Sequence, residues 1–214
     1  MEMFGAIRSS TVGLAIFAVV TSGLIAITQV GTKDRIAKNE REAQAKALYE
    51  IVPRDSIEND LLEDTVEFVA PSLLGSEQPG TAYRARRDGK VATVILPVTA
   101  PDGYSGNIHL IVGVNADSSV AGVRVLAHKE TPGLGDKIEL KKSDWVLSFN
   151  GKSMAGSNDR DWAVKKDGGQ FDQFTGATIT PRAIVNATAR AITYFRANRI
   201  ALMAPVAEVS QNER

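Results

Sequence analysis

The sequence predicts an α+β protein in which a single N-terminal transmembrane helix precedes a domain with an antiparallel sheet and a long closing helix. Three observations predict this fold class: an uncharged apolar run at 11–30, a series of short β-type segments after Gly80, and a helical pattern that begins at Pro181. We therefore divide the chain into a short N-terminal segment (1–10), a transmembrane helix (11–30), a helical stalk (31–52), a folded domain (53–203) and a flexible tail (204–214).

The composition narrows the chemistry that this chain can perform. Its 214 residues include 25 Lys and Arg and 25 Asp and Glu, so nothing indicates nucleic acid or another strongly charged partner. There is no cysteine, which excludes disulfides, thiolate metal sites and cysteine-ligated iron–sulfur clusters within the chain. With two histidines, we expect no metal site either. Any redox chemistry would depend on an organic cofactor or on a partner protein.

The run 11–30 contains 20 uncharged residues, the length that an α-helix needs to cross the hydrocarbon core of a bilayer. The alternative is a cleaved signal peptide, but the run is longer than a typical signal core and no clean small-residue cleavage site follows it. We therefore expect an uncleaved anchor. Strong helix formers continue from Lys33 to Glu50 with charges of alternating sign at four-residue spacing, and Pro53 ends this predicted stalk.

The charges around the anchor bear on its orientation. Five basic residues follow the apolar run within the stalk, whereas only Arg8 and the amino terminus precede it. By the positive-inside rule, this count places the large domain in the cytoplasm. Because the rule weakens for long translocated domains, the charge pattern leaves the orientation open.

Turn signals divide the middle of the chain into hairpins. Asp88-Gly89 is the strongest of these signals, the polar segment 115–119 is a second, and Asp167-Gly168-Gly169 predicts a third. Before them, residues 51–79 are mixed and acidic, and the apolar spacing at 61–69 allows a short helix. The segments predicted to pair are 83–87 with 91–96, 108–114 with 120–126, and 164–166 with 170–174.

One stretch near the C-terminal end, F-D-Q-F-T-G-A-T-I-T-P, combines a tight turn with a helix start. Thr180 is the predicted N-cap, and Pro181 stands at the first position of a helix that we expect to continue to about Asn198. Gly176 permits a backbone turn that other residues resist. The Thr178 hydroxyl therefore lies beside a helix N-terminus, where free N–H groups and the macrodipole favour an anion such as phosphate. The alternative is an ordinary helix start without a ligand.

Two earlier segments are candidates for ligand contact. Pro132 fixes one backbone torsion while Gly133 and Gly135 free their neighbours, so the sequence shapes this loop. The turn 103–106 precedes a β-type segment, and its Tyr104 ring offers both stacking area and a hydroxyl. The alternatives are a tight connection between elements and an ordinary hairpin turn.

The motif D-x-x-T-G-A-T, from Asp172 to Thr178, resembles the acceptor motif of the FMN-binding domain found in Rnf and Na+-translocating NADH:quinone reductase complexes. The resemblance implies that FMN is attached to Thr178 through a phosphoester bond, installed from FAD by a flavin transferase. It implies that the transferase recognises Asp172, or that Asp172 helps to hold Mg2+ during transfer. Thr175, Gly176 and Ala177 would shape the turn and bind the phosphate.

A second block, E-T-P-G-L-G at 130–135, resembles a loop of the same domain and occurs in the expected order. With the single anchor and the short chain, the resemblance is closest to the G subunits of Rnf complexes, which are called Rsx in some bacteria. It implies no catalytic residue and no resident metal. The further cofactor contacts that it implies are Glu130, Thr131, Gly133, Leu134, Tyr104 and Ser105.

The resemblance implies an electron-relay subunit of a membrane-bound, ion-translocating ferredoxin:NAD oxidoreductase complex, with no catalytic turnover by itself. Its partners would be the other subunits, membrane lipid and, during maturation, the flavin transferase. No G-x-G-x-x-G fingerprint is present, so another subunit would handle NADH. The family places the large domain on the periplasmic side of the bacterial inner membrane, against the simple charge count. Two alternatives remain: the C subunit of the Na+-translocating NADH:quinone reductase, and a non-redox membrane-anchored binding module.

Overall fold

The structure is a computed structural model that describes residues 2–69, 71–157 and 159–204. The chain divides into two compact units, Met1–Gln44 and Ala45–Arg214. The first unit is helical, and the second contains the sheet and the closing helix.

Helix α1 extends over Glu2–Ile51 and ends two residues before Pro53, which disfavours helical backbone in the residue before it. Within it, Thr11–Lys33 has a mean hydropathy of 2.1, and its length and composition are sufficient to cross a membrane. The predicted apolar N-terminal helix is therefore confirmed. Residues 2–10 of the N-terminal segment and residues 31–51 of the stalk belong to this same helix.

The second unit contains an antiparallel sheet whose strands pair in chain order. Asp88 and Gly89 both have positive φ, 52° and 69°, as a type I′ hairpin turn requires. The hairpins predicted at Asp88-Gly89 and at 115–119 are confirmed as β2–β3 and β4–β5. The strands are β1 (Thr65–Phe68), β2 (Gly80–Arg87), β3 (Lys90–Gly103), β4 (Gly106–Asn115) and β5 (Val120–Ala127).

In the described part of the chain two further α-helices follow α1, and both faces of the sheet are covered. Alternate residues of β3 point to opposite faces, so Val94 and Leu96 join the core that includes α3, whereas Ile95 joins a second cluster with Leu48 and Ile51 of α1. Because α3 packs mainly on β3, its N-terminus comes close to the β3–β4 turn. The helices are α2 (Pro71–Leu74) and α3 (Ile179–Met203), with short 3-10 helices at Arg54–Ser56, Asp136–Ile138, Asp144–Phe149 and Lys165–Asp167.

The apolar spacing at 61–69 allowed a short helix. This prediction is wrong, because residues 65–68 form β1. Phe68 is buried, Val66 packs against the core and Glu67, between them, is exposed. This is the period-two pattern of a half-buried strand, and pairing with β2 satisfies the backbone groups of the segment.

The third predicted hairpin is also wrong. Lys165–Asp167 forms a 3-10 helix, and Val164 meets Phe171 only through an isolated parallel bridge. A Cβ on Gly169 would lie 2.1 Å from the carbonyl oxygen of Ala163, so the chain doubles back too tightly here for two paired strands.

Helix α3 is longer than predicted at both ends. It continues beyond residue 198 to Met203, because Leu202 is buried against the core and adds apolar contact to the last turn. Apart from Ala204, the predicted flexible tail lies outside the described residues.

Candidate functional site

Three segments that are far apart in the sequence form the walls of one cleft of about 360 Å³: the β3–β4 turn, the loop 130–135 and the segment 176–180. The volume lies at the lower end of the range for small-molecule sites. Tyr104, Leu134 and Ile179 are 69%, 44% and 43% exposed, so the cleft has an open and partly apolar mouth. Its lining residues are Tyr104, Glu130, Thr131, Leu134, Gly135, Gly176, Ala177, Thr178, Ile179 and Thr180.

The turn before α3 presents Thr178 to this cleft. The Ala177 N–H donates to the Phe174 carbonyl oxygen at 3.1 Å, and Gly176 has a φ of 82°. A positive φ at the third position of a β-turn is the type II geometry, for which glycine is the favoured residue. The chain before this turn is fixed by a hydrogen bond, which the Trp145 indole N–H donates to the Asp172 carbonyl oxygen at 2.7 Å.

Thr178 is the N-cap of α3, but its side chain makes no capping hydrogen bond. Its carbonyl oxygen accepts the Arg182 N–H at 3.4 Å, which closes the first turn of the helix. The N–H groups of Ile179 and Thr180 precede the first intrahelical donor, so they have no acceptor within the helix. The half-buried Thr178 hydroxyl therefore stands at the positive end of a 25-residue helix.

The prediction of Thr180 as N-cap is wrong. Thr180 is the second residue of α3, is fully buried, and directs its hydroxyl to the carboxylate of Glu130. Pro181 is accordingly the third helical residue and not the first. Proline is still accommodated there, because N–H groups of the first turn are not needed by the helix.

The loop 130–135 satisfies most of its own amides. The Thr131 carbonyl oxygen accepts the N–H groups of Leu134 and Gly135 at 3.1 and 3.0 Å, and the Gly133 N–H donates to Asp136 Oδ1 at 2.8 Å. These three N–H groups therefore already have acceptors and are not free to bind a ligand. The loop contributes the Thr131 and Leu134 side chains to the lining of the cleft. Leu134 Cδ2 lies 3.7 Å from where a Cβ of Gly176 would be, so the loop is in contact with the turn at 174–177.

Glu130 connects the three walls of the cleft. Its side chain accepts the Ser105 N–H at Oε1 (2.9 Å) and the Thr180 hydroxyl at Oε2. Gly135 makes this contact possible, because a Cβ there would lie 3.0 Å from Oε2 and 3.1 Å from Thr180 Oγ1. The residue is 5% exposed.

His128 fixes the backbone next to Glu130. Its Nδ1 accepts the Glu130 N–H at 3.0 Å, so the imidazole carries its proton on Nε2, which donates to Glu139 Oε1 at 3.0 Å. Burial alone would raise the pKa of Glu139, but hydrogen bonds from Lys141 and His128 outweigh it and lower the pKa below its ordinary value. His128 thus has a supporting role in this network.

The structure separates the predicted site residues into two groups. Seven line the cleft: Tyr104, Glu130, Thr131, Leu134, Gly176, Ala177 and Thr178. The other four lie outside its lining: Ser105, Gly133, Thr175 and Asp172. Gly135, Ile179 and Thr180 line the cleft but were not predicted as site residues. The conformational freedom of Gly135 was noted in the sequence, but nothing local to Thr180 indicates a partner 50 residues earlier in the chain.

Comparison with known proteins gives the family. The FMN-binding domain family matches residues 103–193, and the RnfG N-terminal region family matches residues 1–51. A relative from Pseudomonas aeruginosa (strain UCBPP-PA14), named as the G subunit of an ion-translocating oxidoreductase complex, is 55% identical over 90% of each chain. The chain belongs to this family of G subunits. A relative of the same name from Pseudoalteromonas atlantica (strain T6c / ATCC BAA-1087) is 51% identical over 88% of each chain. Another, from Aliivibrio fischeri (strain MJ11), is 45% identical over 94% of this chain and 96% of the relative.

The family membership confirms the resemblance to G subunits and FMN as the cofactor of this domain. The FMN-binding match includes all three segments that form the cleft. The residues of the cleft fit a flavin nucleotide: a hydroxyl and helix N–H groups suit its phosphate, and the apolar mouth suits its ring.

Proposed function

We propose that this chain is the electron-relay subunit of a membrane-bound ion-translocating ferredoxin:NAD oxidoreductase (Rnf) complex, with FMN attached to Thr178 through a phosphoester bond. The observation that carries the proposal is the position of the Thr178 side chain, which lines the cleft at the N-terminus of α3 and makes no capping bond. The names of the relatives, which refer to an ion-translocating oxidoreductase complex, support membership of such an assembly.

The attachment is a phosphoryl transfer to this hydroxyl. The Thr178 oxygen forms a bond to the phosphorus on the riboflavin side of FAD, the bond from that phosphorus to the bridging oxygen breaks, AMP leaves, and the hydroxyl proton is released. A threonine hydroxyl is a weak nucleophile at neutral pH and needs activation. Within the described residues, no group of three or more His, Asp or Glu side chains suited to a metal ion is present. A separate flavin transferase with its own metal ion would supply the activation.

The residues of the chain hold and orient the group once it is attached. FMN supplies one- and two-electron redox chemistry. The first turn of α3 offers N–H groups and a positive dipole to the phosphate, and Leu134 and Tyr104 offer apolar surface at the mouth. A covalent bond prevents loss of the cofactor from an open cleft, and an open cleft leaves the ring accessible to partner proteins that exchange electrons with it.

The apolar part of α1 supports a membrane location, and we propose a single crossing with the large domain on the periplasmic side of the bacterial inner membrane. On that side no cytosolic FMN supply could refill an empty site, which gives the covalent bond a physical rationale. The proposed partners are the other subunits of the complex, membrane lipid and, during maturation, the flavin transferase.

Flavin fluorescence of the denatured protein tests the attachment. The full chain is co-expressed with a flavin transferase and separated on a denaturing gel, where the wild-type band should fluoresce and the Thr178→Ala band should be dark. Thr193→Ala is the matched control, because its hydroxyl bonds the Ala189 carbonyl oxygen elsewhere on the same helix, and this band should fluoresce. A dark wild-type band would contradict the covalent attachment.

A further inference from the structure

Glu130 is a buried carboxylate in the wall of the cleft. Within the described residues, no Lys, Arg or His side chain lies within ion-pair distance of it. Asp136, another buried carboxylate of the domain, differs because Lys142 Nζ lies 3.6 Å from its Oδ2. Glu139, which is also near the loop, has Lys141 Nζ at 2.7 Å.

The carboxylate is nevertheless held in place. It accepts one hydrogen bond from the Ser105 N–H and one from the Thr180 hydroxyl, which suits an ionised carboxylate because both of its oxygens are acceptors. Neither donor carries a formal charge. These hydrogen bonds stabilise the negative charge of the carboxylate but do not neutralise it, so its electric field acts on the cleft.

From this arrangement we infer that Glu130 sets the reduction potential of the flavin, by opposing the gain of electrons in the cleft. The inference rests on the proposed function, because it requires FMN to occupy this cleft. A cleft of about 360 Å³ keeps a bound ring within roughly 10 Å of a carboxylate in its wall. At that distance and with an effective dielectric constant near 20, the repulsion between the Glu130 charge and one negative charge on the flavin changes the equilibrium between reduced and oxidised flavin about tenfold.

The sign of the effect follows from electrostatics. Reduction brings electrons into the cleft, and any negative charge that protons do not neutralise is repelled by Glu130. The oxidised flavin is therefore favoured and its reduction potential is lowered. Glu130 acts on the cofactor through its field, so its contribution differs from that of Leu134 and Tyr104, which provide contact surface.

Glu130→Gln separates charge from geometry. The glutamine oxygen can accept the Ser105 N–H and its amide can donate to the Thr180 hydroxyl, so both hydrogen bonds can be kept while the charge is removed. Glu130→Asp retains the charge and shortens the side chain. Glu139→Gln is the matched control, because it removes a carboxylate that already has a cation beside it.

The experiment is spectroelectrochemical titration of the flavin in the full-length chain, after co-expression with the transferase. In Glu130→Gln we expect the ratio of reduced to oxidised flavin at fixed potential to rise about tenfold, which is about 30 mV for a two-electron couple. In Glu130→Asp and Glu139→Gln we expect less than about a threefold change. Thermal melting of each variant is measured alongside.

The outcomes distinguish this inference from the proposed function. A wild-type chain that carries no flavin would overturn both. A flavin-loaded wild type whose Glu130→Gln variant has the wild-type potential would overturn the inference alone. A Glu130→Gln chain that does not fold, or a Glu130→Asp chain shifted as far as Glu130→Gln, would assign the residue a structural role and would also overturn the inference.

Discussion

The Nζ atom of Lys165 lies 2.6 Å from Oδ1 of Asp172, and the two side chains are 56% and 68% exposed. An exposed ion pair of this kind contributes about 0–1 kcal/mol to stability, so it restrains Asp172 only weakly. The carboxylate lies outside the lining of the cleft, although its own carbonyl oxygen is fixed by Trp145. This placement favours a role for Asp172 in contact with another protein and not in the finished cofactor site.

Asp172→Asn should therefore slow the attachment of FMN without unfolding the chain. We expect the rate of attachment to fall about tenfold or more, equivalent to about 1.4 kcal/mol in the barrier, because the transferase loses a charged contact. Stability should change by no more than about 1 kcal/mol. The measurement is the time course of gel fluorescence with purified transferase and FAD, with Asp161→Asn as an exposed control. Wild-type kinetics in Asp172→Asn would contradict the role assigned to this residue.

Gly135→Ala should destabilise the domain and reduce FMN attachment. The added Cβ would lie 2.9 Å from Glu130 Cβ and 3.1 Å from Thr180 Oγ1, so the contact between the loop and α3 must open. Overpacking of this kind costs about 1–3 kcal/mol, which urea unfolding of the full chain in detergent would measure. The matched control is Gly156→Ala, because, apart from its chain neighbours, no atom of the described residues lies within 4 Å of the position that its added methyl group would occupy. Equal effects of the two substitutions would argue against a close contact at Gly135.

Glu58 should make the β2–β3 hairpin sensitive to acid. Backbone hydrogen bonds from Gly89 and Asp88 lower the pKa of Glu58 below its ordinary value of 4.5. Since the pKa is lower in the folded state, the stabilisation is fully present above about pH 4.5 and is lost as the pH falls through the folded value. The free energy of unfolding of Glu58→Gln should be below that of the wild type at pH 6, and the difference should shrink at pH 3. A difference that stays constant with pH would show that ionisation of Glu58 is not involved.

A single introduced cysteine should report the side of the membrane on which the large domain lies. The chain has no cysteine, so Lys90→Cys, at an exposed position of the sheet, creates its sole thiol. With a periplasmic domain, a membrane-impermeant maleimide applied to intact spheroplasts should label this variant. Ser9→Cys, which precedes the apolar run, should be labelled only after lysis. The reverse pattern would support the orientation given by the simple charge count.

Several elements of the fold were predictable because their signals are local. Asp88-Gly89 determines a tight hairpin through the backbone freedom of the two residues themselves. The third predicted hairpin failed because its short flanking segments are drawn into other contacts: Arg182 binds the Asp167 carboxylate with two hydrogen bonds, and Phe171 stacks on Phe149 in the core. A glycine-containing turn alone does not distinguish a hairpin from a tight loop.

The site was predictable as a set of motifs but not as an arrangement. Thr178 and the loop 130–135 were singled out from the sequence, and the structure brings both to one cleft. Thr180 was assigned as the helix cap because capping is the common local role of a threonine before proline. Its hydroxyl instead reaches Glu130, a partner supplied by another segment of the chain.

The sequence by itself determined the apolar helix, two hairpins and the family, and it singled out Thr178 as the candidate acceptor. Each of these depends on the chemistry of neighbouring residues, on turn conformations or on a motif that can be read in order. Only the tertiary structure decided that Glu130 meets Ser105 and Thr180 and, among the residues that the structure describes, forms no ion pair. The physical reason is that these contacts depend on how α3 and the β3–β4 turn pack around the loop. Packing of this kind brings together residues that are far apart in the sequence, and nothing in the neighbouring residues indicates it.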